Sequence, residues 1–318
     1  MKIRNIYKNV YCLQGARSSN IYFFDCDKKA IIDTGHNDEK SENFQTFIDN
    51  SFDLKNLSFI MNTHSHGDHN GGNNFLKDKF PNVKIIGSSE TANFQKKRKA
   101  LNIMKEVEDE FDPYNIDIFV NDGDKIVLGE IVLTTIKTVG HTTDSLSFYD
   151  KENEMLFSGD LVYNRVITQL DYYQNLNISL TQLKESYNKI LELNPKIIWT
   201  GHGEPIESPT ENFNFLFKKL SRFERDNELI LINNIVPTAE FYINRNPGCT
   251  KKELEDTLLT NLFRFKSEPF LLSFDEEKFN KIVEKVFALM RVLNIFREDN
   301  GCFYLNNRVN EYIGIKKN

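Results

Sequence analysis

Three imidazoles and one carboxylate are concentrated in a single short segment of the chain. Residues 63–72 have the sequence THSHGDHNGG and directly follow an apolar, strand-like run. Because side chains alternate along a strand, His64 and His66 can project to the same side as the chain leaves a sheet. The glycines of the segment permit a tight backbone path that returns Asp68 and His69 to the same point. Such a group makes a poor hydrophobic core and a good metal site.

Three further candidate ligands, His141, Asp160 and His202, stand at the ends of other apparent strands. Each has a glycine within one or two positions, as expected where backbone approaches a metal or substrate closely. Five of the six histidines in the chain fall at such places, and only His36 is left over. A single histidine of this kind is more often structural, but the shared placement of the whole set favours a metal site.

The number of candidate ligands predicts two metal ions. A catalytic zinc takes about three protein ligands and keeps a position for water, so seven ligands exceed what one ion can use. The favoured division has two groups and a bridge: His64, His66 and His141; Asp68, His69 and His202; and Asp160 between them. Two divalent ions so placed lower the pKa of a shared water and stabilise an oxyanion or a phosphoryl oxygen. Zinc is the favoured metal, with iron or manganese as alternatives.

The elements that must position these residues alternate along the first 200 positions. Short β-rich runs predict strands at residues 1–13, 21–24, 30–32, 57–61, 83–86, 126–128, 131–139, 146–149, 155–157 and 197–199. Helical periodicity covers residues 39–48, 90–110 and 179–193. This mixture indicates sheets with helices packed on their outer faces.

The pattern changes after about residue 209. Residues 212–234 predict one long amphipathic helix or two short ones, and Thr250-Lys-Lys-Glu253 is a capping box that starts another. A further helix is expected from residue 274 to about 293, before the hairpin signal Asp299-Asn-Gly301. This order is typical of a winged-helix domain, although a plain helical cap has the same order. We expect two domains, residues 1–210 and 211–318.

Composition excludes several classes of protein. No apolar run approaches the roughly 20 residues of a membrane span, and the first residues lack a signal-peptide pattern, so a cytoplasmic protein with no membrane partner is expected. The four cysteines form no CxxC pair, which argues against disulfides and against a cysteine metal site. The net charge of −6 argues against bulk coating of nucleic acid. Residues 212–318, with 17 basic and 15 acidic side chains, are nearly balanced.

The motifs together resemble the metallo-β-lactamase superfamily. The resemblance rests on the HxHxDH segment, the lone His141, Asp160 in Ser-Gly-Asp, His202 in Gly-His-Gly, and the earlier Asp33-Thr-Gly. It covers about residues 1–208 and implies a four-layer αββα sandwich with the metals in a cleft at one sheet edge. It also implies that Asp33 orients a metal ligand, as carboxylates often do for imidazoles.

Branches of that superfamily differ in their ligands. True β-lactamases generally lack the bridging carboxylate, so Asp160 argues against antibiotic hydrolysis. Flavo-diiron proteins carry Glu at the position of His66. Glyoxalase II-like thioesterases share all seven ligands. So does the mammalian lactamase-beta-like endoribonuclease, which also resembles this chain in carrying a winged-helix-like C-terminal domain.

We therefore expect a binuclear metal-dependent hydrolase. A metal-bridging hydroxide would attack an ester or thioester carbonyl or a phosphodiester, and Asp68 would hold one ion and orient the nucleophile. The substrate is then a small-molecule ester or thioester, or single-stranded RNA. The alternatives are an endoribonuclease whose C-terminal domain contacts RNA, an iron-dependent oxidoreductase of the same fold, and a non-catalytic nucleic-acid-binding factor. A homodimer is favoured by base rates alone.

Overall fold

The computed structural model describes residues 2–14, 19–37, 40–50, 52–93, 95–96, 113–171, 174–264 and 276–306. Most of the helix predicted over 90–110 and the start of the helix predicted at 274 lie outside these ranges. Among the described residues, no helix combines the length and the apolar character needed to cross a bilayer.

Within the residues that the structure describes, the first sheet has seven strands in chain order. They are β1 Lys2–Tyr7, β2 Val10–Gln14, β3 Ile21–Phe24, β4 Lys29–Ile32, β5 Leu57–Met61, β6 Lys84–Ser88 and β7 Ile118–Val120. Neighbours up to β4 pair antiparallel, and β4 to β7 pair parallel. The prediction of one strand over residues 1–13 was wrong. A turn at Lys8, with φ 42°, splits that segment into the hairpin β1–β2.

The second sheet, over the described ranges, has five strands in the order β12-β11-β10-β9-β8. They are β8 Lys125–Val127, β9 Val132–Lys137, β10 Leu146–Asp150, β11 Met155–Gly159 and β12 Ile197–Thr200. The last two pair parallel, and the others pair antiparallel. The carboxyl ends of β9, β11 and β12 therefore meet at one edge of the sheet.

Helices cover the outer faces of both sheets. All four residues of strand β3 are buried, with Tyr22 and Phe24 facing the second sheet and Ile21 and Phe23 facing outward. The outward apolar face therefore needs a helix to cover it. Helix α1 (Lys40–Asp49) packs its Phe47 against that outward face. Helices α4 (Leu176–Leu193) and α5 (Pro209–Phe223) cover the second sheet. The result is the four-layer αββα sandwich predicted from the sequence.

Two short helices lie in the connection after β5. They are α2 (Gly67–Asn70) and α3 (Asn73–Lys79), and α2 carries two of the predicted ligands, Asp68 and His69.

The described part of the C-terminal region contains three helices and a small sheet. The elements are α6 Asn227–Arg245, β13 Cys249–Thr250, α7 Lys251–Arg264, α8 Glu276–Val292, β14 Phe296–Asp299 and β15 Cys302–Leu305, with strand order β13-β15-β14. The predicted 212–234 helix is divided between α5 and α6. The capping box is confirmed, because the Thr250 amide donates to Glu253 Oε2 at 2.8 Å and the Glu253 amide donates to Thr250 Oγ1 at 3.2 Å. The hairpin turn is also confirmed, with φ of 49° at Asn300 and 77° at Gly301.

One hydrophobic core joins the second sheet to the C-terminal helices. It runs without interruption from Leu156 on β11 through Phe213 on α5 and Ile235 on α6 to Phe287 on α8. The proposed boundary after residue 210 falls in the first turn of α5. The two-domain division stays a prediction, and the C-terminal helices share their core with the sandwich.

Candidate metal centre

The predicted ligands all follow the carboxyl ends of strands. In the first sheet, Asp33 follows β4 and the 64–69 segment follows the adjacent parallel strand β5. In the second sheet, His141, Asp160 and His202 follow β9, β11 and β12. All seven candidate ligands are brought together at the edge shared by the two sheets.

His64, His66 and His141 form the first group of potential metal ligands. His66 Nδ1 lies 3.1 Å from His64 Nε2 and 2.9 Å from His141 Nε2. Ligand nitrogens of a tetrahedral zinc, each about 2.0–2.1 Å from the ion, are about 3.3 Å apart. Both distances from His66 Nδ1 are therefore close to the spacing that one ion requires, and the three ring nitrogens lie within 4.8 Å of one another.

The second group is Asp68, His69 and His202. His202 Nε2 lies 3.3 Å from His69 Nε2 and 3.2 Å from Asp68 Oδ2. Asp160 stands between the groups, with Oδ1 3.2 Å from His69 Nε2 and Oδ2 3.7 Å from His141 Nε2. The structure thus brings together the residues that the sequence assigned to two groups, and the division of the ligands between two ions stays a prediction.

Hydrogen bonds behind the rings select the nitrogens that face inward. Asp33 Oδ2 lies 2.8 Å from His69 Nδ1 and also accepts from Thr63 Oγ1, while Asp33 Oδ1 accepts from the Thr63 amide at 2.9 Å. On the other side, His141 Nδ1 lies 2.8 Å from the carbonyl oxygen of Gln169. Such contacts fix the tautomer, so that Nε2 of both rings is left for a metal. Asp33 adopts φ 57°, an uncommon conformation for a residue other than glycine.

A missing side chain at Gly201 makes the close packing of the centre possible. A Cβ at this position would lie 2.0 Å from Asp160 Oδ1 and 2.9 Å from His69 Cε1. Only glycine leaves room for both ligands beside the backbone that carries His202.

Carboxylates dominate the charge of the second group. Burial by itself lowers the pKa of His69, but Asp160, Asp68 and Asp33 outweigh it and hold that pKa well above its usual range. Burial likewise lowers the pKa of His202, but Asp160 and Asp68 outweigh it and raise that pKa to about 9. The buried carboxylates therefore require positive charge beside them, from protons or from metal ions.

The first group has the opposite balance. Burial, followed by the neighbouring imidazoles of His69, His66 and His141, holds the pKa of His64 well below its usual range. Burial also lowers the pKa of His141. These rings favour the neutral form, which is the form that binds a metal ion.

The residues fit divalent metal ions. The buried Asp160 Oδ1 makes no well-aligned hydrogen bond among the described residues, and the ring nitrogen 3.2 Å from it belongs to His69, itself a candidate ligand. An unpartnered buried carboxylate oxygen is costly unless a cation meets it. Five imidazoles and two carboxylates are also the donor types that suit zinc and iron.

Some residues that support the site were given no role from the sequence. Asp144, buried below the 64–66 segment, accepts from Ser65 Oγ and from Thr91 Oγ1 at 3.0 Å, and burial raises its pKa. Tyr163 is buried with its ring centroid 6.3 Å from that of His202. The only local signal for either was proximity to a predicted ligand in the chain.

Comparison with known families agrees with this geometry. Residues 14–202 match the description "Metallo-beta-lactamase superfamily", and this range contains every predicted ligand. The chain belongs to this superfamily. Its homologues include hydrolases, and the family implies divalent metal ions bound by the His and Asp cluster.

Curated relatives within the superfamily have several names. A beta-lactamase-like protein 2 homolog of Caenorhabditis elegans is 28% identical over 212 residues, covering 64% of this chain and 61% of the relative. A hydroxyacylglutathione hydrolase of Prochlorococcus marinus is 30% identical over 132 residues, covering 40% of this chain and 46% of the relative. An atrochrysone carboxyl ACP thioesterase of Aspergillus fumigatus is 24% identical over 235 residues, covering 74% and 66%. The chain thus spans less than two thirds of the first of these relatives.

Solved structures of the superfamily share the fold. A metallo-beta-lactamase family protein from Thermus thermophilus aligns with a TM-score of 0.60 at 17% identity, covering 94% of this chain and 99% of that one. The metallo-beta-lactamase GOB-18 of Elizabethkingia meningoseptica aligns with a TM-score of 0.58 at 19% identity, covering 71% and 93%. Since the first alignment covers nearly the whole chain, the likeness in fold extends beyond the sandwich.

Proposed function

We propose that this member of the superfamily is a binuclear hydrolase that cleaves a thioester of a small carboxylic acid. The observation that carries the proposal is the placement of Asp160, whose carboxylate oxygens lie between two complete groups of three ligands. A bridging carboxylate allows two ions to be held side by side. Two-metal sites suit hydrolytic attack on a polarised carbonyl or phosphoryl group.

Seven residues would hold the ions in this proposal. They are His64, His66 and His141 for one ion, Asp68, His69 and His202 for the other, and Asp160 for both. When bound, the ions supply Lewis-acid charge for the oxyanion and make a bound water acidic. The chain itself supplies the rigid frame, because the outer nitrogens of His69 and His141 are fixed by Asp33 and by the backbone of Gln169.

Asp68 has a distinct position among the ligands. Its side chain is 36% exposed, whereas His69 and Asp160 are at most 8% exposed. It lies in the first turn of α2. An accessible carboxylate at this point can accept a proton from the attacking water and hold that water in line with the substrate. We therefore assign Asp68 both a ligand role and the role of orienting the nucleophile.

The relatives support a thioester substrate. Several are named hydroxyacylglutathione hydrolase, and another is named as a carboxyl ACP thioesterase. Both names describe hydrolysis of an acyl group from sulfur. The acyl group and the thiol carrier of this enzyme are left open by the proposal.

Phosphodiester cleavage of single-stranded RNA is the second candidate. The order of α6, β13, α7, α8 and the β14–β15 hairpin, with β15 in the middle of the small sheet, favours it because a winged-helix-like unit has this order. The charges on α8 oppose it. Lys281, Lys285 and Arg291 pair with Glu277, Glu228 and Glu298, so these cations are already neutralised.

A substrate panel with two variants tests the proposal. The native chain, loaded with zinc or iron, is assayed with a hydroxyacyl-glutathione thioester, an acyl-coenzyme A, a β-lactam and labelled single-stranded RNA. We expect thioester cleavage by the native chain and loss of at least about 100-fold in kcat for Asp68→Ala. Lys281→Ala, on the surface of α8, is the matched control and is expected to retain native thioester activity.

The outcomes separate the two candidates. RNA cleavage that is lost in Asp68→Ala, without thioester cleavage, would replace the proposal by the nuclease alternative. Retention of thioester cleavage in Asp68→Ala would refute the assigned role of Asp68. Metal analysis of the purified native chain checks the stoichiometry of two ions.

A further inference from the structure

The C-terminal helix α6 holds the loop that follows Asp160. Asn234 of α6 is fully buried, and its side chain makes two hydrogen bonds to Leu170: Oδ1 accepts from the amide, and Nδ2 donates to the carbonyl, both at 3.0 Å. The preceding residue, Asn233, donates from Nδ2 to the carbonyl of Thr168 at 3.1 Å. Two neighbouring amide side chains therefore fix the backbone on both sides of residue 169.

Residue 169 is also the point at which the loop contacts a metal ligand. The Gln169 carbonyl oxygen is 2.8 Å from His141 Nδ1, and Thr168 Oγ1 is 3.0 Å from the same atom. The orientation of the ring, and hence the direction of His141 Nε2 toward His66, depends on where this carbonyl stands.

Two more contacts complete the connection. The Gln169 side chain donates from Nε2 to the carbonyl oxygen of Asn234 at 2.8 Å. On the opposite side, the amide of Asp171 donates to the carbonyl of Gly140 at 3.1 Å. The loop is thus bound to α6 on one side and to the segment carrying His141 on the other.

We propose that Asn234 is a positioning residue for the metal centre, acting on His141 through the backbone of residues 168–170. The C-terminal helices are then part of the structure that builds the first ligand group. The inference rests on the proposed function in one respect, namely that His141 binds a metal ion. It is independent of the substrate.

Replacement of Asn234 by leucine removes both hydrogen bonds while keeping the size of the side chain. The amide and carbonyl of Leu170, itself buried, would lose their partners. The loop must then rearrange to satisfy them, and the Gln169 carbonyl moves with it. Loss of a group that orients a metal ligand weakens binding by about 10–100-fold, and we expect about tenfold for this more remote residue.

The experiment measures cobalt binding to the full chain, with no substrate present. Metal-free native protein, Asn234→Leu and the milder Gln169→Ala are titrated with Co²⁺ against a chromophoric chelator, and the visible spectrum of each is recorded. Met290→Ala is the control, because Met290 is fully buried in the same core on α8 and its truncation lowers stability without removing a hydrogen bond to the loop. Thermal unfolding of the metal-free proteins reports the structural cost separately.

The inference is supported if Asn234→Leu binds one of the two cobalt ions about tenfold more weakly and shows an altered cobalt spectrum. Gln169→Ala should show the same changes to a smaller extent. Met290→Ala should lower the unfolding temperature and bind both ions as the native chain does. The inference is overturned if Gln169→Ala and a folded Asn234→Leu both bind cobalt with the native affinity and the native spectrum. It is also overturned if Met290→Ala weakens cobalt binding as much as Asn234→Leu does. If the native chain binds two ions but hydrolyses no thioester, the proposed function is refuted. The inference about Asn234 is then still decided by the cobalt titration. A native chain that binds no cobalt refutes both.

Discussion

Replacing Gly201 by alanine is the smallest change that should disrupt the whole metal centre. The added Cβ would meet Asp160 Oδ1 at 2.0 Å, and ordinary contact begins at 3.4 Å. The carboxylate would have to move by about 1.4 Å, because the interior is too closely packed to absorb the difference elsewhere. The backbone has little freedom to retreat, since the Gly201 amide donates to the Gly159 carbonyl at 2.7 Å and its carbonyl accepts from the Asn20 amide at 2.6 Å.

The expected effects follow from that displacement. A shift of about 1 Å at an active site costs on the order of 100-fold in rate, so kcat/KM should fall by at least this factor. Overpacking of a close-packed site costs about 1–3 kcal/mol, so the metal-free variant should remain folded but less stable. Because Asp160 contacts both ligand groups, binding of both ions should weaken.

Three assays measure these effects. Thioester hydrolysis gives the change in kcat/KM, denaturant unfolding of the metal-free protein gives the change in stability, and metal content after equilibrium dialysis gives the change in metal binding. Gly123→Ala is the matched control, because no described atom lies within 4 Å of its Cβ position and its φ of 87° makes the change costly only for the backbone. That control should lose about 1–2 kcal/mol of stability and keep both ions. Native metal content and activity in Gly201→Ala would show that Asp160 does not occupy the position described, and the bridging role would be refuted.

Three other perturbations test separate parts of the structure. Asp33→Asn should weaken metal binding by about 10–100-fold in chelator competition, because it loses the charged acceptor facing His69 Nδ1; unchanged affinity would contradict the orienting role. Burial raises the pKa of Glu240 from 4.5 to about 8, so the folded chain retains a proton that the unfolded chain releases, and stability should fall as pH rises from about 4.5 to 8. Glu240→Gln should remove that loss of stability. If the native chain and Glu240→Gln give parallel curves of unfolding temperature against pH, the assignment of this pH dependence to Glu240 is refuted. Thr250→Ala should cost about 0.5–2 kcal/mol of unfolding free energy through loss of the cap on α7, with Thr257→Ala within the same helix as its control.

The local signals in the sequence were sufficient for much of the site. The ligands follow short apolar runs and stand next to glycines, so their type and spacing alone indicated a metal site and the division into two groups. The capping box and the Asn-Gly turn were likewise predictable, because both depend on residues at most three positions apart. The same reasoning failed at residues 1–13, where hydrophobic alternation continues through a turn and does not reveal that the chain reverses at Lys8.

Contacts between distant parts of the chain could not be predicted from the sequence. Asn234 and Leu170 are 64 positions apart, and Asp144 and Ser65 are 79 apart. An asparagine within a helical pattern is ordinarily a weak helix former on the surface. Only burial against a particular loop lets its side chain hydrogen-bond the backbone of that loop. The candidate ligands were therefore predictable from the sequence, since their chemistry is carried by residue type and by position after a strand. The frame that orients them depends on which surfaces pack together, and that is set by the burial of the whole core.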